Sequence, residues 1–395
     1  MDLGLIALIF IAALLGPALS LLSGGAIPVV VGQLLAGVLL GKTGLRIIDP
    51  GRSDLSLLYS LGFATLMFGV GMRVPLHDRR VRAALGSGAL ACVVAVPLAL
   101  ASGLLAHLAG GGPVLVYAVV IVSSSAAVAL PVIDESGLID ARGVLPAMAW
   151  ITIADIVATL AIPLAIEPSR AAHAALGAAI VAALVMLVFL AAQRLSRLPR
   201  VKFIRKEGKR RQWAIDLRLA VIVLVSLSFI AQKVGASLLV AGFGTGLVLA
   251  AIGGPKRLSQ EVLGLGQGFL VPLFFVLLGA KLDLRALTGS GREILLAAVL
   301  SALAVAVHVV ASIVIRAPKA VGLLASAQMG VPAAVIALGL PAHAITQGQA
   351  SAIFCGALVS IGACSAGAAI LRRGQPARDR AGEPESSQPE PAVAI

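Results

Sequence analysis

Runs of about twenty apolar residues recur from one end of the chain to the other, from 3–22 to 347–371, with short polar connections between them. A helix needs about 20 such residues to cross a hydrocarbon core ~30 Å thick. In lipid every backbone polar group must find its partner within the segment, which leaves helices or closed barrels. Runs this long fit helices. Composition excludes the alternative of a soluble domain: 12% of the 395 residues are charged, against about 25% in soluble proteins. Aromatics make up 4% and there are 43 glycines, a balance that suits close helix–helix contact through small residues.

The chain therefore reads as an all-α polytopic membrane protein with about thirteen transmembrane helices. The expected spans are 3–22, 26–41, 54–72, 82–108, 113–134, 144–166, 171–193, 213–233, 235–253, 262–280, 292–315, 319–341 and 347–371. The transmembrane domain covers 1–373, and the polar, Pro-rich stretch 374–395 reads as a disordered cytoplasmic tail. The N-terminus lacks a basic region before its first apolar run, so no cleavable signal peptide is expected. Cys92, Cys355 and Cys364 sit in apolar runs and read as small core residues.

The net charge of +13 reports orientation, and no nucleic-acid partner is read from it. Lys and Arg favour cytoplasmic loops. The most basic stretch, "RLSRLPRVKFIRKEGKRRQW", joins the seventh and eighth spans. With that loop (194–212) inside, the N-terminus lies outside, the C-terminus lies in the cytoplasm, and 23 of the 31 Lys and Arg fall on the cytoplasmic side.

An internal repeat underlies the spans. "MFGVGMRVPL" (67–76) matches "FVLLGAKLDL" (275–284) at a spacing of 208, and "GVLL" (37–40) matches "GLVL" (246–249) at 209. The matched spans run in opposite directions, which defines an inverted-topology repeat, a feature of secondary transporters whose sites lie at the midplane. Repeat one covers about 1–166 and repeat two about 213–371, with a linker helix at 171–193.

The fifth and twelfth spans are repeat partners, and both are interrupted. "YAVVIVSSSAAVALPVIDESG" carries three serines and a proline, and "VGLLASAQMGVPAAVIALGL" carries Gln328, Gly330 and Pro332. Broken helices at matching places free backbone groups toward the midplane. The following span, "AMAWITIADIVATLAIPLAI", holds one charge, Asp155. A carboxylate at mid-bilayer costs about 2.5–3.5 kcal/mol on insertion scales, so it faces a cavity, a partner or an ion. A water-reachable carboxyl there can hold a proton or a cation. His308 is a second polar group deep in an apolar run, the eleventh.

On these residues the chain resembles the monovalent cation:proton antiporter-2 family, of the cation:proton antiporter superfamily with the sodium/proton antiporter fold. The stretches that carry the resemblance are "IPVVVGQLLAGVLLGKTGL", "VPLFFVLLGAKLDL", "SSSAAVALPVIDESG" and Asp155. It implies a homodimer formed through a helical panel. It also implies a six-helix core of spans four to six and eleven to thirteen, which crosses at the two broken helices and moves like an elevator. Asp155 matches the family's ion-binding aspartate, holding a monovalent cation, Na⁺ or K⁺, in turn with a proton. Ser124, Ser125 and Thr152 lie where polar ligands surround it, with Gln328 on the other broken helix. Many relatives carry Lys or Arg near the place of His308, which makes His308 a charge-modulating position. Ala154 stands where the family has a polar residue. No nucleotide-binding regulatory domain of the kind that some potassium-efflux relatives carry is expected after the membrane part.

The expected function is cation/proton exchange in a bacterial-type inner membrane, without an enzymatic activity or cofactor. The alternative is a sodium-coupled symporter of an organic anion, which would need Gln328 to bind a carboxylate. An intramembrane zinc protease is excluded, since no His is followed by Glu. A transport-dead sensor is the remaining reading that Ala154 permits.

Overall fold

A computed structural model describes residues 3–23, 27–72, 79–138, 141, 143–211, 213–234, 237–252, 264–289 and 291–373. Arg73, Lys256, Arg257, Arg142 and the tail, all used in the charge count, lie outside the described residues, as do the side chains of Asp134 and Glu135.

The described residues form helices and turns, with no strand among them. The first half holds α1 (Leu3–Leu22), α2 (Val29–Leu40), α3 (Ser53–Met72), α4 (Leu85–Gly110), α5 (Val114–Val122), α6 (Ala126–Glu135) and α7 (Val144–Ile166). The connection holds α8 (Ala171–Arg197) and α9 (Pro199–Arg210). The second half holds α10 (Ile215–Lys233), α11 (Leu238–Ile252), α12 (Gly266–Lys281), α13 (Leu284–Thr288), α14 (Gly291–Val314), α15 (Lys319–Ala325), α16 (Gly330–Gly339) and α17 (Gln347–Arg373).

Among the described residues, nine helices are long and apolar enough to cross a membrane, counting α15 and α16 as one. The protein is thus a multi-pass membrane protein. The count differs from thirteen for physical reasons. α2, α11 and α12 are shorter, and the fifth expected span is held by α5 and α6, which at 9 and 10 residues reach only about half-way each at 1.5 Å per residue.

The helices pack in two groups. α4, α5, α7, α14, α15, α16 and α17 pack on one another, and α1, α2, α3, α10, α11 and α12 do the same, with α8 on α10 and α11. Across the two groups α8 touches α7 and α3 touches α16. The second group is held by helix pairs at backbone contact. A Cβ on Gly37 of α2 would collide with the carbonyl of Val276 in α12, and one on Gly246 of α11 would collide with the carbonyl of Phe68 in α3. Reciprocally, Gly71 meets Phe243 and Gly279 meets Leu34. Positions 68, 71 and 72 correspond to 276, 279 and 280 at the sequence spacing of 208, and 34 and 37 to 243 and 246 at 209. Equivalent glycines therefore make equivalent contacts: α2 lies on α12 as α11 lies on α3.

Candidate functional site

Each interruption is built the same way. α5 ends at Val122, and the Ser123 hydroxyl turns back to the Val120 carbonyl at 2.7 Å. α15 ends at Ala325, and the Ser326 hydroxyl turns back to the Leu323 carbonyl at 2.8 Å. A serine hydroxyl at a helix end competes with the next backbone amide for a carbonyl. Pro332 then sits in the first turn of α16. Having no N–H, it can start a helix but cannot close a turn back through Gln328.

The two breaks cross and hold each other. The Gln328 amide donates to the Ile121 carbonyl at 3.2 Å, and the Ser124 hydroxyl donates to the Ala325 carbonyl at 2.6 Å. Each break thus caps the last carbonyls of the other's first half-helix, the groups a helix C-terminus leaves unsatisfied. The Gln328 backbone N–H is in turn received by Ser360 of α17 at 3.0 Å. Ser123, Ser124, Ser125, Ser326 and Gln328 are all buried.

Asp155 reaches this knot from α7. It is 4% exposed, and its Oδ2 accepts the backbone N–H of Ala126, the first residue of α6, at 3.2 Å. A carboxylate at a helix N-terminus gains from the unsatisfied amides and the helix dipole, by about 0.3–1 kcal/mol at exposed sites and up to ~2 when partly buried. That gain offsets much of the insertion cost of a mid-membrane charge. One residue before Ala126, the Ser125 hydroxyl is buried and has no hydrogen-bond partner among the described residues. Thr152 lies on α7 within a turn of Asp155, and its hydroxyl donates to its own helix at Met148, 2.7 Å, which leaves its oxygen lone pairs as acceptors.

His308, fully buried on α14, meets the same knot. Its Nδ1 lies 2.8 Å from the Ala304 carbonyl and its Nε2 lies 3.3 Å from the Ser124 hydroxyl. Its ring stacks on Trp150 of α7, with centroids 5.3 Å apart and planes 23° from parallel. The fold brings Asp155, Ser124, Ser125, Gln328 and His308 to one crossing, with Thr152 on the adjoining turn. Residues that sequence reasoning passed over are Trp150, Ser360 and the Ala325 carbonyl. Trp150 is one of two tryptophans in a chain with 4% aromatics, and it stands five residues before Asp155. That rarity was a usable signal, whereas nothing in sequence marks a backbone carbonyl.

Lys281, at the end of α12, rests on a ring: its Nζ is 3.6 Å from the Tyr59 centroid. A lysine stem can lie along apolar surface while its charge finds a π face.

Comparison with known proteins points the same way as the geometry. The family model described as "sodium/hydrogen exchanger, transmembrane" matches residues 6–372. Among curated proteins, the chain is 26% identical over 269 residues to the Na⁺/H⁺ antiporter NhaS5 of Synechocystis sp., covering 66% of this chain and 37% of that protein. It is 27% identical over 274 residues to the putative Na⁺/H⁺ antiporter YjbQ of Bacillus subtilis, covering 65% and 44%. It is 27% identical over 264 residues to the glutathione-regulated potassium-efflux system protein KefC of Escherichia coli, covering 64% and 41%. The matches thus span about two fifths of the length of these relatives. Among solved structures, the sodium proton antiporter MjNhaP1 from Methanocaldococcus jannaschii superposes with a TM-score of 0.64 at 15% identity, over 94% of this chain and 100% of that one. At that identity the likeness is one of fold.

Proposed function

The chain belongs to the sodium/hydrogen exchanger transmembrane family, and on that premise we propose that it is a secondary active transporter exchanging a monovalent cation, Na⁺ or K⁺, for protons. The observation that carries the proposal is a buried carboxylate, Asp155, at the N-terminus of a half-helix where two broken helices cross. Protonated, Asp155 is neutral and keeps its place in the apolar interior. Ionised, it needs a counter-charge, and a cation supplies it. Oxygen ligands replace the water shell of such ions. The unpartnered Ser125 hydroxyl, the Thr152 oxygen and the carbonyls at the ends of α5 and α15 are the oxygens at hand. Proton and cation compete for one carboxylate, which couples their movement without a cofactor.

The group containing Asp155 would slide as an elevator against the group held by the glycine contacts, which forms the panel of a homodimer. Repeats at about 1–166 and 213–371 would set the two access states. The basic loop 194–212 and the C-terminus face the cytoplasm of a bacterial-type inner membrane, and the N-terminus faces outside. An organic-anion symporter would call on Gln328, but one amide hydrogen of Gln328 is already engaged by Ile121.

The test is proton flux in proteoliposomes with Na⁺, K⁺ and Li⁺ compared. Wild type releases protons on addition of a cation and Asp155→Asn does not, while both elute from a sizing column at the same volume. Retained exchange in Asp155→Asn moves the site elsewhere.

A further inference from the structure

Ser124 and His308 meet in a contact whose hydrogens can be assigned from chemistry. The Ala304 carbonyl only accepts, so at 2.8 Å the His308 Nδ1 carries a hydrogen and donates it. A neutral imidazole then presents Nε2 as an acceptor. The Ala325 carbonyl also only accepts, so at 2.6 Å it holds the Ser124 hydroxyl hydrogen. At 3.3 Å Nε2 is a second acceptor for that same hydrogen. One hydroxyl therefore faces two acceptors, and it can serve only one at a time. The imidazole is held for this role by its bond to Ala304 and by the Trp150 ring, which belongs to the helix of Asp155.

The two positions differ in what they leave for an ion. With the hydrogen on Ala325, that carbonyl is engaged at the negative end of α15. With the hydrogen on His308, the Ala325 carbonyl is released to face a cation beside the Ser124 lone pairs, which the hydroxyl keeps in either position. The Ser124 oxygen lies two residues from Ala126, whose amide holds Asp155.

We propose that Ser124 is a hydroxyl switch of the transport site and that neutral His308 is the positioning residue that supplies its second position. The hydroxyl rests on Ala325 when Asp155 is protonated and turns to His308 Nε2 when a cation occupies Asp155. This deepens the exchange reading and rests on it. It also gives a reason for an imidazole at 308: Lys and Arg offer donors and no acceptor, so neither could receive the hydroxyl. Closing the contact from 3.3 Å to an ordinary O–H···N length of ~2.8 Å takes a shift of a few tenths of an ångström.

The experiment measures cation KM and kcat of proton exchange in proteoliposomes for four variants. His308→Phe keeps a ring against Trp150 and removes the acceptor. It raises KM roughly tenfold, the scale of one hydrogen bond, while kcat falls less than threefold. His308→Gln restores an acceptor oxygen and returns KM to within about threefold of wild type. Ser124→Ala raises KM like His308→Phe, and the double variant is no worse than either alone, because both remove one interaction. In addition, ¹⁵N spectra of wild type show a neutral imidazole protonated at Nδ1, and saturating cation shifts the Nε2 resonance as it becomes hydrogen-bonded. This measurement needs no variant. An unchanged KM in His308→Phe, additive losses in the double variant, an Nε2-protonated ring, or an Nε2 signal blind to cation each overturns the switch. If any of these occurs while Asp155→Asn is still dead, the exchange reading stands and the switch alone falls. A wild type that moves no protons with any cation overturns both.

Discussion

Two adjacent serines differ in what their hydroxyls contribute to stability. The Ser124 hydroxyl holds the Ala325 carbonyl at 2.6 Å, whereas the Ser125 hydroxyl is buried with no hydrogen-bond partner among the described residues. Removing a hydroxyl that makes an intramolecular bond and leaves a buried carbonyl unmet costs about 1–3 kcal/mol. Removing one without such a bond costs little. Ser124→Ala should therefore lower the melting temperature in detergent by several degrees, and Ser125→Ala should leave it within about a degree. If Ser125 supplies an oxygen ligand, as proposed, Ser125→Ala should affect transport more than folding, with apparent cation affinity falling several-fold. Equal melting shifts for the two variants would show Ser125 to be structural. Asp155 was legible in sequence at this scale because a lone charge in an apolar run has few bland explanations. That Ser124 is tied to Ala325 was not, because the partner is a backbone atom from a segment 201 residues away.

At the scale of elements, glycine placement decides how closely helices pack. The backbones of α2 and α12, and of α3 and α11, meet with no room for a Cβ at Gly37, Gly279, Gly71 or Gly246. Gly86, at the start of α4, meets nothing within 4 Å of an added Cβ. Gly37→Ala and Gly246→Ala should each destabilise by about 1–3 kcal/mol through overpacking. Their effects should be similar, because repeat-related contacts are broken. Gly86→Ala should be neutral or slightly stabilising, since alanine lowers the entropy lost on forming a helix. Thermal unfolding of the detergent-solubilised protein reads all three. A Gly37 variant as stable as the Gly86 one would mean that the two helices are free to separate. The glycine pattern was legible as a weak repeat. Which helix each glycine faced was not, since a spacing of 208 or 209 residues names the equivalent position and says nothing of its neighbour.

For the whole molecule, the relevant quantity is charge moved per cycle. The buried groups at the crossing include one carboxyl, Asp155, and one imidazole, His308, whose geometry suits a neutral acceptor. If a single carboxyl carries one proton one way and one monovalent cation the other, no net charge crosses. Exchange driven by a cation gradient should then give no steady current on a supported membrane at saturating activity. Proton release measured by a dye in the same preparation should remain. A current that scales with that release would require a second charge carrier and would end the one-for-one scheme. In the exchange proposal the two packed groups, which touch where α8 meets α7 and where α3 meets α16, would slide past each other to carry the site between faces.

Sequence alone determined the class of the molecule. Long apolar runs have one stable solution in lipid, helices that satisfy their own backbone, and hydropathy is a local property that needs no partner to be read. Sequence also placed the two interruptions and the lone carboxylate, because serine, proline and aspartate act on their own segment. Only the tertiary structure decided what those residues do to one another. The reciprocal capping of Ile121 by Gln328 and of Ala325 by Ser124, the amide of Ala126 on Asp155, and the imidazole between Trp150 and Ser124 all join segments far apart in the chain. The physical reason is that a broken helix leaves backbone groups that water cannot reach. Which side chain satisfies them depends on the crossing of α5 with α15, and the crossing exists only once the whole bundle has packed.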